Sequence, residues 1–140
     1  MKNTLILDTG PLVALFNRND YYHEASQTCL RELQVELITT WMVVTEASHL
    51  LRKSVQAQLN LLEWIRRGGL KTWSIDLDDI PQLMELMEKY KDLPMDIADG
   101  SLVLLAQKHN IRDVLSIDSD YDVYRIFKQE PFINHFKHYM

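Results

Sequence analysis

Glycine is scarce in this chain. There are four, Gly10, Gly68, Gly69 and Gly100, and their spacing builds neither a GxGxxG turn nor a Walker-type loop. That argues against a dinucleotide enzyme or a P-loop ATPase. Cysteine is scarcer still. Cys29 stands alone, which rules out an internal disulfide, leaves no Cys–His zinc spacing and fits a reducing compartment; it reads as a small apolar filler in a helix. No apolar run approaches the ~20 residues of a membrane span. The aliphatic run near Met1 is too short for a signal-peptide core, so the expected location is cytoplasmic, with no membrane. The histidines, His23, His49, His109, His135 and His138, pair with no Ser or Cys in a hydrolase motif. An excess of positive charge is missing too: 15 basic residues against 20 acidic ones leave a formal net charge of −5. This weighs against a protein that coats nucleic acid non-specifically. The objection weakens if metal neutralises several of the acids.

What is present suggests one domain spanning residues 1–140. A chain of this length buries roughly 70% of its unfolded surface and needs no staple. Thr4–Leu7 reads as a buried strand followed by a Gly-Pro turn, and Pro11 suits the first turn of a helix. Asp20 can cap a second helix from about Tyr22 to Gln34. Leu37–Thr40 reads as a second strand, Val43–Lys53 and Ala57–Arg67 as helices, and Lys71–Ile75 as an alternating third strand. Asp78 or Asp79 opens another helix, and Asp96 caps one that reaches His109. Val114–Ile117 is the fourth strand, with a short helix from about Tyr121 to Phe127 behind it. In the tail, Phe132 and Ile133 are candidates for an edge strand. Strands alternating with helices imply parallel pairing and right-handed crossovers, hence an α/β fold.

Four acids stand where these segments end or begin. Asp8 closes the first strand and Asp118 the fourth; Glu46 and Asp99 sit near the starts of two helices. A carboxylate at the end of a buried strand is badly placed for packing and well placed for a metal. In a parallel sheet the carboxyl ends of the strands form the crevice where ligands bind. Four carboxylates there would repel one another unless a divalent cation sat between them. Each also has a local alternative: Asp8 ends a strand, Glu46 is a solvated helix acid, Asp99 completes a capping arrangement with Asp96, and Asp118 or Asp120 caps the turn that follows.

The ordered set of local sequences carries a resemblance. Leu5-Ile6-Leu7-Asp8-Thr9-Gly10-Pro11-Leu12-Val13-Ala14-Leu15 resembles the opening motif of PIN domains. Val43-Val44-Thr45-Glu46-Ala47-Ser48-His49-Leu50-Leu51 resembles their second, Met95-Asp96-Ile97-Ala98-Asp99-Gly100-Ser101-Leu102-Val103 their third, and Leu115-Ser116-Ile117-Asp118-Ser119-Asp120-Tyr121 their fourth. Asp20-Tyr21-Tyr22-His23-Glu24-Ala25 is similar to a segment of the VapC-like toxin branch. Two departures stand out: Gly100 where alanine is frequent, and Trp41-Met42 where a proline is frequent. The resemblance implies a three-layer α/β/α fold with a central parallel sheet, and Mg2+- or Mn2+-dependent cleavage of RNA with one or two ions per site. It places the acidic quartet on Asp8, Glu46, Asp99 and Asp118, with Asp96 and Asp120 as auxiliary acids. It also implies a homodimer and a small antitoxin partner.

On this reading Asp8 and Asp99 are the direct ligands, and Glu46, Asp118 and Asp96 or Asp120 hold surrounding water or a second ion. In-line attack leaves a 5′-phosphate and a 3′-hydroxyl. Thr9 and Ser116 are candidates for hydroxyl hydrogen bonds to the phosphate or an acid, against a local backbone bond for each. Arg18, Arg52, Lys53 and Arg125 are candidates for an RNA-binding rim. Two other classes compete. One is a PIN-fold module that binds RNA or protein without cutting. The other is a small-substrate phosphatase of the haloacid-dehalogenase type, which would want an Asp-x-Asp that Asp8-Thr9-Gly10 lacks.

Overall fold

Leu5, Ile6 and Leu7 are buried and carry no polar side chain, so the strand they form can lie only in the middle of a covered sheet. In the computed structural model, which describes residues 3–126 and 129–140, β1 (Thr4–Leu7) is that central strand. β2 (Glu36–Thr40) pairs with one side of it, Thr4 opposite Glu36 and Ile6 opposite Ile38. β4 (Asp113–Leu115) pairs with the other, Leu7 opposite Leu115. β3 (Lys71–Trp73) and a late strand at Ile133–Asn134 complete a five-stranded sheet in which every pairing is parallel.

Helices flank this sheet. α1 (Thr9–Phe16), α2 (His23–Leu33) and α4 (Val55–Arg66) form one group. α5 (Ile80–Lys89) and α6 (Ile97–His109) form another, and α3 (Trp41–Leu50) touches α1 and α6. α6 is apolar on all sides from Leu102 to Ala106 and every one of those residues is buried, as expected of a helix enclosed by its neighbours. Among the described residues, no helix is long and apolar enough to cross a membrane. The architecture is thus the α/β fold with a central parallel sheet that the sequence implies.

Several boundaries differ from the sequence reading, each for a local reason. α3 starts at Trp41, because the Thr40 hydroxyl accepts the Val43 N–H at 3.3 Å and lets the helix begin directly at the strand end. α2 begins at His23: Asp20 takes the Tyr22 N–H at 2.8 Å in the preceding turn and does not serve as the cap residue. The helix expected at Asp78 or Asp79 is preceded by a 3-10 turn, in which Asp76 and Asp79 form a reciprocal capping box. Asp79 also pairs with Lys108 at 2.8 Å. β3 stops at Trp73 and β4 at Leu115.

The expected helix from Tyr121 is only a 3-10 turn, Ser119–Asp122; Phe127 lies outside the described residues. The Arg125 guanidinium Nη1 donates to the carbonyls of Asp122, Val123 and Tyr124 at 2.7–3.0 Å. Those acceptors are therefore occupied by a side chain, and the chain turns into a small antiparallel pair, β5 (Arg125–Ile126) and β6 (Glu130–Pro131). The edge strand, β7 (Ile133–Asn134), runs one residue later than expected, and Phe132 goes into the core.

Gly100 also has a packing reason. A Cβ there would lie 2.5 Å from Leu83 Cδ1, so α5 closes onto α6 through the space a side chain would fill. Gly100→Ala gains about 0.5–1 kcal/mol of helix propensity and incurs about 1–3 kcal/mol of overpacking. The variant is therefore expected to lower the chemical-denaturation midpoint in the wild type and to raise it in a Leu83→Ala background. Stabilisation in both backgrounds would contradict this account.

Candidate functional site

The strand order β3–β2–β1–β4–β7 reverses at β1: the chain moves outward through β2 and β3, then returns to the other side as β4. The crevice between the carboxyl ends of β1 and β4 is therefore the topological switch point, where α/β sheets bind ligands. Asp8 follows β1 directly, and its backbone N–H donates to Leu115 O at 3.0 Å. Ser116 follows β4. Its buried hydroxyl donates to Asp8 Oδ2 at 2.7 Å and accepts the Asp118 N–H at 2.9 Å. Ser116 is itself fixed by the Asn134 amide, which accepts its N–H at 3.2 Å and donates to its carbonyl at 2.9 Å. The edge strand thus extends the sheet by one side chain and holds the hydroxyl that orients Asp8.

The other acids arrive on helices and turns. Asp96 is the N-cap of α6 and accepts the Asp99 N–H at 2.8 Å. Asp99, one turn in, accepts the Tyr124 hydroxyl at 3.1 Å. Asp118 caps the 3-10 turn by accepting the Asp120 N–H at 2.9 Å. Glu46 comes from α3. Asp8, Glu46, Asp96, Asp99 and Asp118 all line one cleft of about 570 Å³, with Thr9 and Gly10 on its wall. Gly10 is close-packed there: a Cβ would meet the Ile117 side chain at 3.1 Å.

The charges are unfavourably placed for an isolated protein. Burial pushes the Asp8 carboxyl up to about 6 despite the Ser116 hydrogen bond, and Asp118 and Glu46 add to the rise. Asp99 rises to about 7, through burial first and then the charges of Asp8 and Asp96. Asp120 is also raised, by desolvation and by Asp118. Burial, together with Asp8 and Asp99, holds the Tyr121 phenol well above its ordinary value.

The donor chemistry fits a hard divalent cation. Asp99, Asp118 and Asp120 each bring a ligand oxygen within 4.8 Å of the others, and the cleft lining contains no His or Cys. Such an all-oxygen, anionic set suits Mg2+ or Mn2+. Asp8 lies outside this tightest trio and acts on Asp99 through its charge. Thr9 Oγ1 and Tyr121 OH are buried with no hydrogen-bond partner among the described residues. Both belong to this neighbourhood and retain capacity for a ligand.

The basic residues singled out in the sequence are dispersed. Arg18 and Lys53 line a separate cavity that meets the acidic cleft at Leu50. Arg52 donates to His49 O at 3.0 Å, and Arg125 clamps the turn already described. Sequence reasoning missed Tyr124 and Asn134. Tyr124 packs edge-on against Tyr90 and Tyr121 at 5.1 Å, and its i,i+3 spacing from Tyr121 across a turn was the available signal. Asn134 gave none.

A model of the PIN domain family matches residues 5–126. The chain belongs to the PIN-domain family. This PIN domain is 29% identical over 116 residues to Ribonuclease VapC26 of Mycobacterium tuberculosis, covering 81% of this chain and 86% of that protein. Its fold is similar to that of VapC20 of M. tuberculosis, described as a sarcin-ricin loop cleaving toxin. The TM-score is 0.73 at 19% identity, over 83% of this chain and 91% of that one. It is also similar to the VapBC2 structure from Rickettsia felis bound to a promoter DNA fragment. There the TM-score is 0.64 at 16% identity, over 94% and 98% of the two chains.

The raised carboxyls of this PIN domain give a pH-dependent prediction. Both folded values exceed the ordinary 3.8, so the folded chain keeps protons that the unfolded chain has released. The stability this confers is complete below 3.8 and is lost as pH rises through about 6 and about 7. In EDTA at pH 8, Asp8→Asn and Asp99→Asn should therefore melt above wild type, with the gap closing towards pH 4. Added Mg2+ should stabilise wild type by about 2.7 kcal/mol at a hundred times Kd, and the variants less. An equal Mg2+ shift in all three proteins would mean that the acids do not form one site.

Proposed function

We propose that the chain is a Mg2+- or Mn2+-dependent endoribonuclease that hydrolyses RNA phosphodiester bonds. It would act in the cytoplasm as the toxin of a type II toxin–antitoxin pair. The observation that carries the reading is the convergence of Asp8, Glu46, Asp99 and Asp118 on one cleft at the switch point of a PIN-domain sheet. The name of one relative, a ribonuclease, supplies the substrate class.

Asp99, Asp118, Asp120 and Asp8 would hold the metal, one or two ions, which when bound offsets charge on the phosphate and acidifies a water. The protein's own residues do the positioning. Ser116 sets the Asp8 carboxylate by hydrogen bond, and Tyr124 sets that of Asp99. Glu46 makes no hydrogen bond or ion pair among the described residues and lines the cleft. It is the acid free to accept the proton of the attacking water. The unpartnered Thr9 and Tyr121 hydroxyls are donors available to a phosphate oxygen or an ordered water. A binding-only module has no need of a cluster of mutually repelling acids around the buried Asp8, which disfavours that alternative.

The proposal includes two protein partners. An antitoxin segment bearing Arg or Lys would enter the acidic cleft and pair with the carboxylates; the fold likeness to VapBC2, solved bound to a fragment of its promoter DNA, is in keeping with such a partner. A second copy would cover the apolar groove of about 740 Å³ where Met42 and His49 of α3 meet Met87 and Ile97, forming a homodimer.

Purified protein should cut RNA with Mg2+ or Mn2+, leaving 5′-phosphate ends, and EDTA should abolish cutting. Asp8→Asn and Asp99→Asn should each lower the rate at least about a hundredfold while the far-UV spectrum stays unchanged. Ser116→Ala, which removes only the orienting hydroxyl, should cost about 10–100-fold. Wild-type rates in both Asn variants would refute the assignment.

A further inference from the structure

We propose that the cavity between the α1–α2 loop and the corner joining α3 to α4 seats one unpaired nucleotide of the RNA strand, adjacent to the bond that is cut. This rests on the ribonuclease reading. The cavity has a volume of about 570 Å³, within the range of small-ligand sites. Leu50 is a wall of both this cavity and the acidic cleft, so a strand lying across the carboxylates continues over Leu50 into it.

Two cations line it, Arg18 and Lys53. Most described Lys and Arg side chains are already committed. Some pair with carboxylates. Arg31, Arg52 and Arg125 donate to hydroxyl or carbonyl oxygens, and Lys89 lies over the Tyr90 ring. Among the described residues, Arg18 and Lys53 alone make no ion pair, hydrogen bond or ring contact. In a chain of net charge −5, the two uncommitted cations share one cavity, and phosphate can pair with them without breaking an existing bond.

The remaining lining suits a base. An amide presents a donor and an acceptor side by side, as a base edge does. Gln56 Nε2 donates to Asn60 Oδ1 at 2.9 Å, which fixes both groups and leaves Gln56 Oε1 and Asn60 Nδ2 uncommitted. Phe16 adds an aromatic wall, braced by Trp64 at a ring distance of 5.7 Å. Cations for phosphate, amides for the edge and a ring for stacking are how single-stranded bases are held. An acidic peptide would use the cations and leave the paired amides without a role.

The test uses the full chain carrying Asp8→Asn, so that RNA stays intact. Fluorescein-labelled octamers of uridine, cytidine and adenosine are the probes, with binding read by anisotropy over a salt series. Arg18→Ala with Lys53→Ala should weaken all three octamers about tenfold. It should also make the salt dependence of log K shallower by about 1.4. Gln56→Ala with Asn60→Ala should leave that slope alone and change the ratio of affinities among the octamers about fivefold. Arg31→Ala, on α2 outside the cavity, should change neither. All these side chains are exposed, so each variant should keep the parent's melting temperature.

Octamers bound by the parent with affinity and slope unaltered in Arg18→Ala/Lys53→Ala would overturn the subsite and leave the ribonuclease reading intact. An octa-aspartate peptide that depends on the two cations while the octamers do not would overturn it in favour of an acidic partner. No octamer bound by the parent would also overturn it. Cleavage of RNA by wild type would then decide whether the ribonuclease reading survives.

Discussion

Like charge held out of water at the switch point of the sheet is the constraint on which the rest depends. Asp8 is buried at the end of the central strand. Asp99 faces it from α6; both carboxyls are pushed towards neutral pH by desolvation first, Asp8 then by Asp118 and Glu46, and Asp99 by Asp8 and Asp96. An uncompensated arrangement of this kind works against folding. A divalent cation would resolve it, because the same oxygens that repel one another would become its ligands. The metal-free protein bears that stability cost, and a bound ion would remove it.

The surroundings are built to keep those oxygens in position rather than to neutralise them. Among the described residues, no Lys or Arg lines the acidic cleft. Neutral hydroxyls and amides do the orienting: Asn134 fixes Ser116, Ser116 fixes Asp8, and Tyr124 fixes Asp99. Tyr124 is in turn held by rings on two sides, and the Tyr90 hydroxyl accepts the next backbone N–H, that of Arg125, at 3.0 Å. A lysine in place of any of these would satisfy the charge and leave nothing for a metal to do. The cations stand instead one cavity away, beyond Leu50, where they can meet a polyanion without quenching the acids.

Much of this was legible in the sequence, and the division follows the range of the interactions. β1 spans the residues its aliphatic run suggests. α6 runs from Ile97 to His109 behind the Asp96 cap, as the capping pattern indicates. Both signals are local. The meeting of Asp8, Glu46, Asp99 and Asp118 in one cleft follows from parallel topology, which the alternation of strands and helices implies. The Ser116–Asp8 bond joins residues 108 positions apart, and no pattern in a single sequence reports it. The segment after Asp118 misled for a different reason. Its helix-like spacing is overridden by one guanidinium that takes three carbonyls, a side-chain competition that periodicity cannot register.

Asp8 and Asp99 should together hold about one proton near pH 6.5, which a bound metal would displace. Calorimetric titration of the wild-type chain with Mn2+, in pairs of buffers that differ in ionisation heat, measures this directly. With Asp8 near 6 and Asp99 near 7, metal uptake at pH 6.5 should release about one proton per site, and at pH 8.5 close to none. Failure to bind Mn2+ at millimolar concentration, or binding at pH 6.5 with no proton released, would contradict the account.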